Sequence, residues 1–306
     1  MYIAINGQLG SGKSEVCKIL KRDYGFESFS TGIIQRQYAK ELGISTLELN
    51  ERAKNDFSYD YEIDKKLVEY ADLNRDKNII FDSRMAWHFV KNSYMVHLLV
   101  NPSAAAERVF YNRKSDVEVL KSVEDTLEEL IARRRSESER YKLVYGVSMT
   151  DYNNYDLILD TTTLNPEEVT QIIIDGMKEY ARGNKEKKIV VSPQNVYPTE
   201  KISCLSEVKV KEYISEIKDG KKLNPIKVIK VDDALYICDG HHRIVAMNAC
   251  GIKKTECVLL AQDGECLPDG TIASDYITVK LSDIYDWEST NNFNYGFYPK
   301  RIMVNG

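Results

Sequence analysis

The chain has little proline, 7 residues in 306. It also lacks any apolar run approaching the roughly 18 residues that a membrane-spanning helix needs. No charged stretch at its start leads into an apolar segment with a small-residue cleavage site, so no secretory signal is expected. Positive charge is not in excess: 42 lysines and arginines stand against 47 aspartates and glutamates, for a net charge of −5. Proteins that grip duplex DNA by its backbone carry a basic face, so DNA is not an expected partner. Small anions are not excluded, because a few arginines and backbone amides suffice to hold them. The six cysteines (Cys17, Cys204, Cys238, Cys250, Cys257 and Cys266) form no CxxC pair. They read as reduced thiols in a cytoplasmic protein, neither a disulfide framework nor a zinc site. Internal repeats and low-complexity blocks are also missing.

What is present is an ordinary globular composition, 43% hydrophobic and 29% charged, on a chain of 306 residues, long enough for two domains. Four apolar runs predict buried parallel strands at Tyr2–Asn6, Ile79–Asp82, Met95–Val100 and Leu157–Asp160. The stretches between them have helical spacing, and strands alternating with helices predict an α/β parallel sheet flanked by helices. NPEEVTQIIIDGMKEYARG closes this region as a helix, with Pro166 in its first turn. The polar GNKEKKIVVSPQNVYP then marks a boundary, placing one domain at 1–187 and a second, smaller one at 188–306. The second reads as α+β: a helix in SEVKVKEYISEIKDG, a strand pair in PIKVIKV and ALYICDG, and a helix in HHRIVAMNACG closed by Gly251. The tail from Tyr285, rich in Asn and aromatics, reads as an extended arm packed on the body.

GQLGSGKS at residues 7–14 satisfies G-x-x-x-x-G-K-[ST], with Gly7, Gly12, Lys13 and Ser14 at the fixed positions and Gly10 inside the loop. Glycines let the backbone wrap an anion so that N–H groups point inward. Lys13 places a cation near the outer phosphates of ATP, and Ser14 offers a hydroxyl to Mg²⁺. A strand precedes the loop and a helical pattern follows, as the motif requires.

Three further stretches bear on what receives the phosphate. FSTGIIQRQYAKELG joins a small-residue turn, with Thr31, to a helix carrying Arg36. IIFDSRMAW puts Asp82 at a strand's carboxyl end, where open α/β sheets bind ligands, and Arg84 just past it. Asp82 suits water-mediated Mg²⁺ or the attacking oxygen, and Arg84 an acceptor phosphate. ELIARRRSESERYKLVYG crowds Arg133, Arg134, Arg135 and Arg140 on one helix, with Arg108 and Arg113 upstream. A lid supplying Arg133 and Arg140 to the transferred phosphoryl group is one reading. A solvated face with Glu137 and Glu139 paired to arginines at i,i+4 is the other.

These motifs, with YEIDKKL, R-x-x-SE-x-x-RY-x-x-x-YG and YDLILDTTTLNPEEV, make residues 1 to about 180 resemble the short archaeal-type cytidylate kinases. The resemblance implies a P-loop fold, ATP and Mg²⁺, and CMP or dCMP as acceptor. It implies ATP and metal on Lys13 and Ser14, acceptor on Arg36 and Arg84, and lid groups at Arg133 and Arg140. Two places depart from the family pattern. Asp82-Ser83-Arg84 stands where the family has Glu-Gly-Arg, and Tyr145-Gly146-Val147-Ser148 where it has YG-x-D.

In the second domain, Asp239-Gly240-His241-His242-Arg243 falls on a strand-to-helix turn, where free N–H groups and an arginine suit a phosphate. A capped helix with one buried histidine is the alternative. Residues of about 190 to 262 resemble the ParB/sulfiredoxin fold, and D-G-H-H-R is most similar to its free serine kinases. That resemblance implies nucleotide binding at the turn and catalysis by Asp239 with an upstream glutamate, here Glu207. His241 stands where a sulfiredoxin needs cysteine, and no helix-turn-helix module follows. The function expected is ATP-dependent small-molecule phosphorylation, with a pyrimidine nucleoside monophosphate such as CMP as acceptor. Two readings stand beside it: an amino-acid or other hydroxyl kinase in the second domain, and a non-catalytic nucleotide sensor.

Overall fold

The structure, a computed structural model, describes residues 1–112 and 122–304. In chain order its first elements are β1 (Tyr2–Gly7), α1 (Lys13–Tyr24), β2 (Glu27–Ser30), α2 (Thr31–Glu41), α3 (Thr46–Asn55), α4 (Ser58–Leu73) and β3 (Ile79–Asp82). They continue with α5 (Ala86–Phe89), β4 (Ser93–Leu99), α6 (Pro102–Asn112), α7 (Val123–Tyr145), β5 (Leu157–Asp160) and α8 (Pro166–Ala181). The rest comprises β6 (Lys188–Val191), α9 (Glu207–Lys218), β7 (Ile226–Val231), β8 (Ala234–Asp239), α10 (His241–Ala249), β9 (Thr255–Gln262), α11 (Leu281–Asn291) and α12 (Lys300–Val304). Two compact units result. The first holds Met1–Leu98, Ala132–Ile158 and Asn165–Lys187, the second Leu99–Ile131, Leu159–Leu164 and Lys188–Gly306.

In the first unit the strand order is β2-β3-β1-β4-β5. β1 runs parallel to β3 and β4, and β2 runs parallel to β3. This is a parallel α/β sheet flanked by helices. β1 is buried from end to end, as a central strand covered on both faces must be. The register sets Ile5 beside Asp82 and Asp82 beside Ser30, so β2 and β3 finish together and β1 runs on two residues to Gly7. β2 escaped the sequence because it is short and its outer residues are exposed, so no apolar run marks it. α1 buries Val16, Cys17, Ile19 and Leu20 along one stripe. α8 opens with a reciprocal capping box between Asn165 and Glu168 and buries Val169, Ile173, Ile174 and Met177.

The second unit carries β6-β9-β7-β8. β9 is antiparallel to β6 and parallel to β7, and β7 and β8 form the expected antiparallel pair, turning at Asp232 with φ 53°. The tail corrects the extended-arm expectation. YDWESTN is the second half of α11, and Trp287 within it is fully buried, its Nε1 donating to the Glu200 carbonyl at 2.8 Å. Tyr295 is also buried, and its ring stacks on Tyr197 in the core of this unit. Burying Trp287 on α11 and Tyr295 beyond it drives the tail inward, which its Asn-rich composition conceals.

Candidate active site

The loop between β1 and α1 is shaped by its glycines. Gly10 and Gly12 both sit at φ +80°, in the left-handed region that side chains disfavour. Gly7 is needed for space: a Cβ there would lie 2.9 Å from Ser11 Oγ and 3.0 Å from Leu98 Cβ. No side chain caps the first turn of α1, so its amides and partial positive charge face the loop. Lys13 and Ser14 are the first two residues of that turn.

Lys13 Nζ lies 2.5 Å from Asp82 Oδ1. The strand register accounts for this meeting, since Asp82 ends β3 beside the strand that feeds the loop. Ser83 is buried, its hydroxyl accepting the Met85 amide at 3.3 Å. Arg84 then pairs with Glu137 on α7, and the other oxygen of Glu137 takes Arg133 Nε at 3.3 Å. The structure therefore forms two charged clusters, Lys13 with Asp82 and Arg84 with Glu137 and Arg133, whose members Asp82 and Arg84 are two residues apart at the end of β3. Thr31 opens α2, directly after the Ser30 that pairs with Asp82. Arg36 lies one turn further along α2 and is exposed.

Arg140 is held differently. Its Nη2 donates to Asp60 Oδ2 at 2.5 Å and to the Ala53 carbonyl at 3.3 Å. Beside that pair, Tyr145 donates to the buried Asp64, whose pKa burial pushes up to about 6. Arg135 pairs with Glu139 at i,i+4 as a solvated-face reading expects. Arg108 donates to the carbonyls of Thr161 and Thr162. Arg113 lies outside the described residues.

In the second unit, Gly240 adopts φ +118° and starts α10 directly after Asp239. Arg243 is buried, not presented to a ligand: it donates to the carbonyls of Asn224 and Pro225, both at 2.7 Å, and pairs with Asp239 at 3.0 Å. His241 Nε2 accepts the Thr199 amide at 3.1 Å, so its proton sits on Nδ1, 3.8 Å from Glu200 Oε1. Burial lowers its pKa to about 4, so it is neutral. His242 Nε2 accepts the Ser206 amide at 3.0 Å. Glu207 lies on the first turn of α9 with its side chain 89% exposed, paired with Lys211 on the same helix. The glutamate beside this turn is Glu200, which had no local motif to mark it.

A model of the cytidylate kinase-like family matches residues 2–163. The chain belongs to that family. The cytidylate kinase of Sulfurisphaera tokodaii is 32% identical over 173 residues, which is 56% of this chain and 93% of that protein. An S-adenosylmethionine-dependent nucleotide dehydratase of Lacinutrix mariniflava is 34% identical over 189 residues, 61% of this chain and 37% of that protein. Among solved structures, a free serine kinase in complex with AMP is 24% identical over 24% of this chain and 30% of that chain, with a TM-score of 0.22. That likeness is too partial to carry function. This cytidylate kinase-like chain is an ATP-dependent phosphotransferase of the nucleoside monophosphate kinase type.

Two acids of this cytidylate kinase-like unit went unassigned in the sequence. Asp60 and Asp64 are four apart on α4, within or next to YEIDKKL, and both face α7. Glu137 was visible as a partner for Arg133, but its contact with Arg84 joins residues far apart in sequence and had no local signal. Among the described residues, no group of three or more acids, histidines or cysteines is placed to hold a metal. Mg²⁺ in a kinase takes one or two protein oxygens and completes its shell with phosphates and water. The Ser14 hydroxyl and the Asp82 carboxylate are hard oxygen donors of this kind, at the loop itself.

Proposed function

We propose that this chain transfers the γ-phosphoryl group of ATP to a pyrimidine nucleoside monophosphate, with CMP or dCMP as the best acceptor. The observation that carries this is the Lys13–Asp82 contact at the end of the central strands, with Arg84 two residues on and facing the arginine-bearing helix α7. ATP phosphates lie against the amides of residues 7–14 and the Lys13 ammonium. Ser14 and Asp82 would hold Mg²⁺, which supplies charge neutralisation across the β and γ phosphates. Arg84, with Thr31 and Arg36 on α2, takes the acceptor phosphate. One of its oxygens attacks the γ-phosphorus, and the bond to the bridging oxygen breaks, leaving its electron pair on ADP. Arg133 and Arg140 balance the charge on the equatorial oxygens, a role worth ~10³–10⁵-fold where an arginine supplies it. Arg140 must leave Asp60 to do so.

The kinase relative matched over 93% of its length supports the reaction type. The acceptor is supported more weakly, because both departures, at Ser83 and Ser148, fall on the acceptor side. A second reading, phosphorylation of free serine or another small hydroxyl compound in the second unit, has one observation in its favour: Glu200 and Asp239 flank His241 at the same turn. The deciding experiment follows ADP formation from Mg-ATP by the full chain with CMP, dCMP, UMP, AMP and free serine, repeated with Lys13→Ala. CMP- or dCMP-stimulated turnover that Lys13→Ala abolishes is expected. Turnover with serine alone, unaffected by Lys13→Ala, would overturn the first reading in favour of the second.

A further inference from the structure

Glu137 holds two arginines at once. One oxygen meets Arg84, from the loop after β3, and the other meets Arg133, one turn earlier on α7. The Glu137 and Arg84 side chains are 20% and 25% exposed, whereas the Arg135–Glu139 pair on the same helix is 72% and 67% exposed. A solvated helix face explains the second pair. It does not explain the first, because Arg84 comes from another element and is the residue assigned above to the acceptor phosphate.

We propose that Glu137 is an internal stand-in for the acceptor phosphate, bridging Arg84 and Arg133 until a phosphate monoester displaces it. This rests on the kinase reading of the same site. Two guanidinium groups brought together without an anion repel, and a carboxylate between them relieves that repulsion. A carboxylate offers one negative charge and two oxygens. A phosphate monoester dianion offers two charges and three terminal oxygens, so it can engage both arginines and leave Glu137 to solvent. The exchange has a consequence for specificity. While Glu137 holds Arg133, that arginine is kept from the γ-phosphate of ATP, and transfer to water is suppressed. Arrival of the acceptor frees Arg133 from Glu137 and sets it between the acceptor phosphate and the phosphoryl group in transfer. Glu137 is a positioning residue in this scheme, touching neither nucleotide.

The test uses the full chain with Glu137→Gln, which keeps shape and removes charge, and Glu137→Asp, which keeps charge and shortens reach. Glu139→Gln is the control on the same helix. Binding of inorganic phosphate, with the loop of residues 7–14 saturated by a non-hydrolysable ATP analogue, is measured by calorimetry, alongside acceptor KM and ADP formation without acceptor. Glu137→Gln is expected to bind phosphate about five- to tenfold more tightly than the parent chain, a range set by the modest strength of partly exposed ion pairs. Its acceptor KM should fall by a similar factor and its acceptor-independent ADP formation should rise. Glu137→Asp should lie between, and Glu139→Gln should match the parent. Equal or weaker phosphate binding by Glu137→Gln overturns the proposal, whatever the turnover. If the parent chain responds to no nucleoside monophosphate, the kinase reading fails, and the phosphate titration still decides the exchange.

Discussion

Lys13 and Asp82 are each about a quarter exposed, so water screens their contact and its contribution to stability is small, about 0–1 kcal/mol. In the proposed mechanism their weight lies in catalysis. Lys13→Ala is expected to lower kcat about 10²–10³-fold, the range for removing one preorganised charge from a transition state, while the melting temperature barely moves. Near-parental turnover would remove Lys13 from the mechanism. His241 is the converse, a buried group that matters to stability. Its pKa falls from 6.5 to about 4 on burial. The unfolded chain therefore takes up the proton first, so stability is full above pH 6.5 and declines as the pH drops towards 4. The loss approaches about 3 kcal/mol at the lower end. Asp64, in the other unit, runs the opposite way: burial raises its pKa from 3.8 to about 6. Its contribution is full below pH 3.8 and is lost as the pH rises through 6. Melting curves between pH 7 and 4 should thus show a steeper acid decline for Asp64→Asn and a shallower one for His241→Gln. Parallel curves for all three proteins would refute both assignments.

The stretch from β1 through its loop into α1 works because its glycines do different jobs. Gly12 needs a left-handed backbone but has nothing within 4 Å of where a Cβ would stand. Gly7 has the opposite constraint, wedged against Ser11 Oγ and Leu98 Cβ. Gly7→Ala must push the loop off β4 or displace Ser11, and either shift moves the amides that face the phosphates. A change of this sort is expected to raise KM for ATP at least ~10-fold, since misplacing bound groups by about 1 Å can cost 10² in rate. Steady-state titration with ATP checks this, and an unchanged KM would mean that the loop adjusts without moving its amides. The motif spacing made all these glycines legible in advance. Which of them is held by backbone angle and which by a neighbour became visible only when β4 was in place.

The described residues of 99–131, and residues 159–164, precede the expected boundary at 187, yet they pack in the second compact unit. Their hydrogen bonds explain why. Asn101 Nδ2 donates to the Tyr295 carbonyl at 2.9 Å, and Ser103 donates to the Gly296 carbonyl. The fully buried Asp160 accepts from the Ser192 amide and from Asn195 Nδ2, both at 3.0 Å. Burial drives its pKa up, so those donors are what keep its carboxylate tolerable. A chain ending at residue 187 strips them away and leaves Asp160 with Thr162 alone among these partners. Such a chain is expected to melt lower than the full protein, by an amount matching about 3 kcal/mol for a buried acid deprived of donors. Restoring part of the loss with Asp160→Asn would tie it to that carboxylate. A truncated chain as stable as the whole would show that the boundary at 187 divides independent folding units.

Sequence alone determined what depends on near neighbours: the phosphate loop, the four buried strands, the capped helix after Asn165, the β7–β8 hairpin and the strand-to-helix turn at Asp239. Each is dictated by backbone sterics and hydrophobic period over a dozen residues or fewer, which a reading along the chain can see. Tertiary structure decided the pairings. Arg84 with Glu137, Arg140 with Asp60, Arg243 with two carbonyls, and Glu200 in place of Glu207 beside His241 all join side chains from separate elements. Charge in the sequence says only that such groups exist. Which cation meets which anion is set by strand register and helix packing, because ion pairs form where folding has already brought their backbones together.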